Sequence, residues 1–300
     1  QLILAAKKSG ADAIKFQTFK ATDLTSKNSK YYKLFKKLEL SNQEFSELGN
    51  FARKKNIIFL SSPFSNDAVD LLHHNKIVAF KIASGDLTDI PLIRYASSKN
   101  KPMIISTGMG TIEETMNAVK AVESQGNKKI ILLHSVSAYP TPYEETNLRA
   151  IIALKNEFRY PIGYSDNGDN LLVPLIAVAM GAKVIEKHFT ISKKLKGPDH
   201  KMSAEPDEFK KMVKEIRIIE KMLGTGKKQC QPSEFENLVH VRRSITANIT
   251  IPKGAKIDLT MLNLKRPANG IEPEFLNKIL GKNSKRIIHK DESIKWKDIR

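Results

Sequence analysis

Seven times along this chain a short apolar run is followed by an amphipathic segment. The runs are Ala13–Thr18, Ile57–Pro63, Ala79–Gly85, Met103–Gly108, Ile130–Ser135, Ile162–Asp166 and Lys183–Phe189. The segments that follow carry a helical period: Asn42–Lys55, Asp67–His74, Pro91–Ser98, Thr111–Ser124, Leu148–Phe158, Leu171–Met180 and Glu208–Met222. Parallel strands need a crossover long enough to hold a helix, so strict alternation of this kind predicts a parallel sheet clothed by helices. The runs are apolar almost throughout rather than every second residue, as expected when both faces of the sheet are buried.

The runs recur every ~20–45 residues, and a barrel of eight strand–helix units occupies ~250 residues. The chain opens with Gln1–Gly10, which reads as a helix already under way with no capping residue before it. The sequence-based expectation is therefore an α/β fold, a (β/α)8 TIM barrel whose first strand precedes Gln1. An open doubly wound sheet is the competitor. No Gly-x-Gly-x-x-Gly turn follows any of the runs, which disfavours a dinucleotide-binding fold.

The pattern changes after Gly224. Residues 1–224 form the expected barrel domain and residues 225–238, with Gly, Thr, Lys and Pro at their start, a linker. Residues 239–300 are short Ile-, Val- and Thr-rich segments broken by Pro-Lys-Gly and Asn-Gly, which predicts a small β-rich module. The 300 residues carry 50 Lys+Arg against 32 Asp+Glu, a formal net charge of +18. The basic residues are scattered and do not interleave with aromatics, so nothing resembles a nucleic-acid stacking platform. The apolar runs are too short to span a bilayer. A single cysteine, Cys230, leaves no disulfide framework and suits a cytoplasmic location.

In a barrel the chemistry sits at the C-terminal ends of the strands. Those ends carry Lys15 and Gln17, Ser61 and Ser62, Lys81 and Ser84, Ser106 and Thr107, His134, Ser135 and Ser137, Ser165 and Asp166, and Glu186 and His188. A lysine inside an apolar strand is expensive to bury without an anion to pair with. Serine hydroxyls beside such lysines are the groups that bind phosphate or carboxylate, so the expected pocket takes a small, highly anionic ligand. Histidine at the last strand end, His188, points to metal binding or acid–base work, with Asp166-Asn167 as the nearest potential partners.

These stretches together resemble the N-acetylneuraminate (sialic acid) synthase family, which includes the N,N'-diacetyllegionaminate and pseudaminate synthases. The resemblance rests on Lys15-Phe16-Gln17-Thr18, Ser61-Ser62-Pro63-Phe64, Phe80 to Asp86, Ser106-Thr107-Gly108-Met109 and Tyr139 to Tyr143. Gly163-Tyr164-Ser165-Asp166, Glu186 to Thr190, Gly197 to Lys201 and Lys265 to Gly270 extend it nearly end to end. It implies a TIM barrel followed by an antifreeze-like (SAF) domain, exchanged between the chains of a homodimer. The implied reaction condenses phosphoenolpyruvate with N-acetylmannosamine or a related 2-acetamido or 2,4-diacetamido sugar. A divalent metal, Mn²⁺ or Mg²⁺, would polarise the aldehyde.

Carried over position by position, the resemblance implies that Ser62, Lys81, Ser84, Ser106, Ser137 and Ser165 bind phosphoenolpyruvate, with Lys15 and Gln17 lining the same pocket. Tyr139 and Asp199 would contact the sugar, and Arg266 would reach it from the partner's SAF domain. His188 would bind metal. The second metal position falls on Asn167, whose amide oxygen ligates a hard cation more weakly than imidazole ligates Mn²⁺. Ser137 stands where some members have Asn, which suits a different sugar. A Glu and an Asn-His segment of the family's first strand would lie before Gln1. The alternative to an active synthase is a non-catalytic or metal-impaired sugar-phosphate-binding homologue.

Overall fold

The computed structural model describes residues 1–300. Seven strands run in parallel and in chain order: β1 (Ala13–Thr18), β2 (Ile58–Pro63), β3 (Phe80–Ile82), β4 (Met103–Ser106), β5 (Ile130–Ser135), β6 (Ile162–Asp166) and β7 (Ile185–Lys187). Each pairs only with its neighbours in sequence, the signature of repeated right-handed crossovers. The sheet is curled into a TIM-barrel-like form, and helices cover its outer face. Each of the seven predicted helices is present, for example Asn42–Lys54, Ile112–Glu123 and Pro206–Leu223. Two begin with full capping boxes, Ser41 with Glu44 and Thr111 with Glu114, which satisfy otherwise orphaned backbone N–H groups.

Period-two side-chain alternation sorts the strands into an outer and an inner face. Outward residues such as Phe59, Phe80, Ile82, Met103, Ile105, Leu132 and Ile162 join the helices in the main core. Inward lies a smaller apolar cluster of Leu60, Ala79, Ile104, Leu133 and Val184. These five stand two residues before a polar strand end, Ser62, Lys81, Ser106, Ser135 and Glu186, and a sixth member, Ile131, stands two residues before Leu133. Gly163 holds the corresponding place before Ser165, and a Cβ there would strike Leu133 Cδ2 and the Val184 carbonyl. Glycine is what lets the floor close at β6.

Two expectations are corrected. Ala79–Gly85 is not one strand: β3 stops at Ile82 and Ser84–Asp86 form a 3-10 turn. The expected linker is ordered into a 3-10 turn at Pro232–Glu234 and a helix at Phe235–Val241. Between β1 and the Asn42 helix the chain also forms two short helices, Ala21–Leu24 and Tyr32–Leu38, which carry no strong periodic signal.

The chain divides at Gly224 into two compact units, residues 1–224 and 225–300. The second has only one small antiparallel sheet, β8 (Ser244–Ala247) with β9 (Leu262–Lys265), so it contains less regular strand than expected. Its core is built largely of isoleucine: Ile245, Ile251, Ile257, Ile271, Ile279, Ile288, Ile294 and Ile299.

Candidate active site

One carboxylate organises the inner face at the strand ends. Glu186 Oε1 lies 3.3 Å from Lys15 Nζ and 3.7 Å from Lys81 Nζ. The Ser165 hydroxyl, from the neighbouring strand, donates to the same oxygen at 2.8 Å. Residues of β1, β3, β6 and β7 thus meet at one point. Burial alone would raise the Glu186 pKa, but the charges of Lys81 and Lys15 and the Ser165 hydroxyl outweigh it and hold the group at about 2.

Lys81 is the more deeply placed cation, 2% exposed. Its Nζ donates to Ser106 Oγ at 2.6 Å and to the Ile82 carbonyl at 3.0 Å. Burial pushes its pKa down to about 8, with the Lys15 charge adding to that and Glu186 opposing it. Two lysines therefore share one carboxylate, and the Asp86 charge is the other anionic influence on Lys81.

Unpartnered hydroxyls lie at the end of β2 and in the loop after β5. Ser62 Oγ and Ser137 Oγ are buried with no hydrogen-bond partner. A Cβ on Gly108 would lie 2.5 Å from Ser137 Oγ and 2.7 Å from Ser84 Oγ, so the missing side chain leaves a cradle between two serines. The Gly108 N–H donates to Ser84 Oγ at 3.1 Å. Buried polar groups are nearly always satisfied, and orphan hydroxyls at the strand ends that carry two lysines mark a place for an anion's oxygens.

A second group forms the rim. The Tyr139 ring stands edge-on to the His188 imidazole, centroids 5.8 Å apart. Burial lowers the His188 pKa, while the Asp199 carboxylate, near enough to act on both rings, opposes that shift. Burial and the same carboxylate raise the pKa of Tyr139.

The residues anticipated from sequence fall into three sets. Lys15, Lys81, Ser106 and Ser165 converge on one network, and Ser62, Ser84 and Ser137 supply hydroxyls beside it. Tyr139, His188 and Asp199 form the rim. Gln17 follows Lys15 on the same strand face but is exposed and its side chain makes no hydrogen bond, and Arg266 is an exposed residue of the second unit. The Asn167 amide points its nitrogen at the Val136 carbonyl, 2.7 Å away.

Two residues carried no assigned role. Glu186 was legible from its alternation with His188, which puts both on the inner face. Asp86 was not: it sits in the 3-10 turn after β3, with Oδ2 buried and unpartnered. Burial and the nearby Asp89 charge push its pKa up to about 6. Away from this cluster a cavity of about 810 Å³ lies beside Thr18, Glu39 and Asp70. Two of its carboxylates are already engaged, Glu39 by Lys36 and Asp70 by Lys99 and Tyr95.

Residues 2–228 match the NeuB family and residues 242–300 match the SAF domain. The chain belongs to the NeuB family. It is 50% identical over its whole length to an uncharacterized protein of Methanocaldococcus jannaschii, covering 89% of that protein. It is 40% identical to the N,N'-diacetyllegionaminic acid synthase of Legionella pneumophila, covering all of this chain and 89% of the relative. The crystal structure of N-acetylneuraminic acid (sialic acid) synthetase from Leptospira borgpetersenii in complex with citrate superposes with a TM-score of 0.76 at 38% identity, covering 79% of this chain and 83% of that one. This NeuB-family chain is an enzyme of the sialic acid synthase type.

No three His, Cys, Asp or Glu side chains gather as a ligand set. The Asn167 nitrogen is turned to the loop after β5. The His188 imidazole and the Asp199 carboxylate that acts on it fall short of the three or more ligands that a protein-only site requires.

Proposed function

We propose that this chain condenses phosphoenolpyruvate with N-acetylmannosamine or a related 2-acetamido or 2,4-diacetamido sugar, releasing phosphate and forming a nine-carbon 2-keto acid. The observation that carries this reading is the sharing of Glu186 by Lys15 and Lys81 beside the unpartnered Ser62 and Ser137 hydroxyls. A pocket with two lysines on one carboxylate and idle hydroxyls suits a ligand with both a phosphate and a carboxylate. Family membership supplies the reaction class. Legionaminic acid synthases at 40–42% identity, against 34–35% for pseudaminic acid synthases, favour the former branch for the sugar.

In this mechanism the lysines and serines hold the enol ester so that C3 faces the aldehyde of the open-chain sugar. Carbon–carbon bond formation uses the enol π electrons and leaves C2 electron-poor, while the aldehyde oxygen takes up a proton. Water adds to C2 and loses a proton, and the resulting tetrahedral centre expels inorganic phosphate to give the keto acid. The fixed cations meet charge that moves from the enol ester to the departing phosphate, the electrostatic role that contributes most in such sites. Asp86, with a carboxyl that titrates near neutrality, is the group suited to hold the water's proton. His188 is the side chain that would hold the divalent cation implied by resemblance. We also take the enzyme to be a cytoplasmic homodimer, which light scattering checks.

The experiment is phosphate release and product mass with phosphoenolpyruvate, Mn²⁺ or Mg²⁺ and a panel of 2-acetamido and 2,4-diacetamido hexoses. Release with one sugar establishes the reaction and names the substrate. Tight phosphoenolpyruvate binding without release from any sugar supports the non-catalytic reading instead.

A further inference from the structure

Asn167 follows the last residue of β6 and is 4% exposed. Its Nδ2 donates to the Val136 carbonyl at 2.7 Å and to Ser135 Oγ at 3.3 Å. A backbone carbonyl only accepts, so the amide nitrogen must be the atom facing it. The Asn167 backbone carbonyl in turn accepts the Thr141 N–H at 3.2 Å. One residue therefore grips the loop after β5 at two points five residues apart, Val136 and Thr141. Between them lie Ser137, with its unpartnered buried hydroxyl, and Tyr139, whose ring abuts His188. Thr141 closes the loop on itself, Oγ1 donating to the Ala138 carbonyl at 2.9 Å.

The grip is itself anchored from behind. Asp166 and Lys187 form an ion pair at 2.6 Å with both side chains sealed from solvent, 0% and 1% exposed. Lys187 also donates to the Gly168 carbonyl, and the Gly168 N–H donates to Asp166 Oδ1 at 3.0 Å. Both residues flanking Asn167 are thereby tied to β7.

We propose that Asn167 is a positioning residue that clamps the Val136–Thr141 loop to the end of β6, rather than a metal ligand, and so presents Ser137 and Tyr139 to the substrates. The assignment of what those two residues face rests on the condensation reading above; the clamp itself does not. A loop fixed by one amide and one ion pair places side chains more narrowly than a free loop does, and small misplacements of substrate-holding groups cost rate and affinity.

The test uses Asn167→Asp, which keeps the shape, replaces the donor by an acceptor facing the Val136 carbonyl, and offers a hard cation a carboxylate. Asn167→Ala removes the donor without adding charge and serves if the first variant does not fold. Amide hydrogen exchange should rise at least tenfold in peptides spanning Val136–Thr141 and stay unchanged in the peptides of β1 to β4. The sugar KM should rise at least fivefold, with a smaller fall in kcat, and Mn²⁺ affinity measured with the metal alone should stay within threefold. Unchanged loop exchange, or Mn²⁺ binding that tightens tenfold or more in Asn167→Asp and is lost in Asn167→Ala, overturns the clamp. A rise in exchange across the whole barrel overturns it equally, since that marks a general structural role. The exchange measurement needs no turnover, so it decides the clamp even where no sugar reacts.

Discussion

Lys15 and Glu186 meet at 3.3 Å although their strands, the first and last of the sheet, are not hydrogen-bonded to one another. Curling alone brings them together, and it places Lys81 against the same carboxylate oxygen at 3.7 Å. The stoichiometry of this contact, two cations to one anion, is what prepares the pocket for a negatively charged ligand.

Replacing Lys81 with methionine keeps the volume of its buried stem and removes the charge. The expected result is a fall in kcat/KM for phosphoenolpyruvate of at least about 100-fold, the usual loss when a preorganised charge-stabilising group is deleted. The fold should persist, checked by circular dichroism. Turnover within tenfold of the parent would remove Lys81 from the site.

The same residue sets a pH limit. With its pKa lowered from 10.5 to about 8, Lys81 loses its charge in the empty protein as pH rises through 8. Phosphoenolpyruvate is fully charged there, so its dissociation constant should weaken above pH 8, approaching tenfold per pH unit. Stability moves the other way: the unfolded chain holds this proton up to pH 10.5, so Lys81 makes folding more favourable as pH climbs from 8 to 10.5. Calorimetry between pH 7 and 9.5 measures the first effect, and Lys81→Met should abolish its Lys81-dependent part.

Glu186→Gln should tighten inorganic phosphate binding, because both lysines then lack their shared counter-charge. It should also flatten the acid limb of stability. A carboxyl held at about 2 in the folded state stabilises above pH 4.5 and loses that contribution as pH falls toward 2. Phosphate titration and acid denaturation of the two proteins check both; weaker phosphate binding in the variant would refute the counter-charge role.

Breaking the sealed pair behind the site should be costly. Lys187→Met leaves Asp166 as an uncompensated buried charge and is expected to destabilise the protein by about 3–5 kcal/mol. The double variant Lys187→Met with Asp166→Leu should recover a large part of that loss, read by urea denaturation.

Gly108→Ala places a methyl between Ser84 and Ser137. Small hydroxyls can rotate aside, so folding should survive while phosphoenolpyruvate KM rises at least tenfold. An unchanged KM would show that the cradle holds no part of the ligand.

Much of the site was legible because strand-end residues follow from periodicity. A lysine in an otherwise apolar strand, as at Lys15 and Lys81, announces that an anion must be near. Asp86 was hidden because β3 gives way to a 3-10 turn at Ser84, which no run of apolar residues marks. Asn167 illustrates a different limit. A side-chain amide offers both donor and acceptor, and only the position of the Val136 carbonyl decides which atom is used.

By itself the sequence determined the alternation of strand and helix, the parallel sheet, the polar strand ends and the chemical character of the pocket. These depend on local periodicity and on the cost of burying charge, both written in residue order. Tertiary structure alone decided that Glu186 is the shared partner of two lysines, that Ser62 and Ser137 are left without partners, and that Asn167 grips a loop. Those facts depend on how far the sheet curls and where its neighbours' backbone falls, distances between residues remote in sequence that no local pattern encodes.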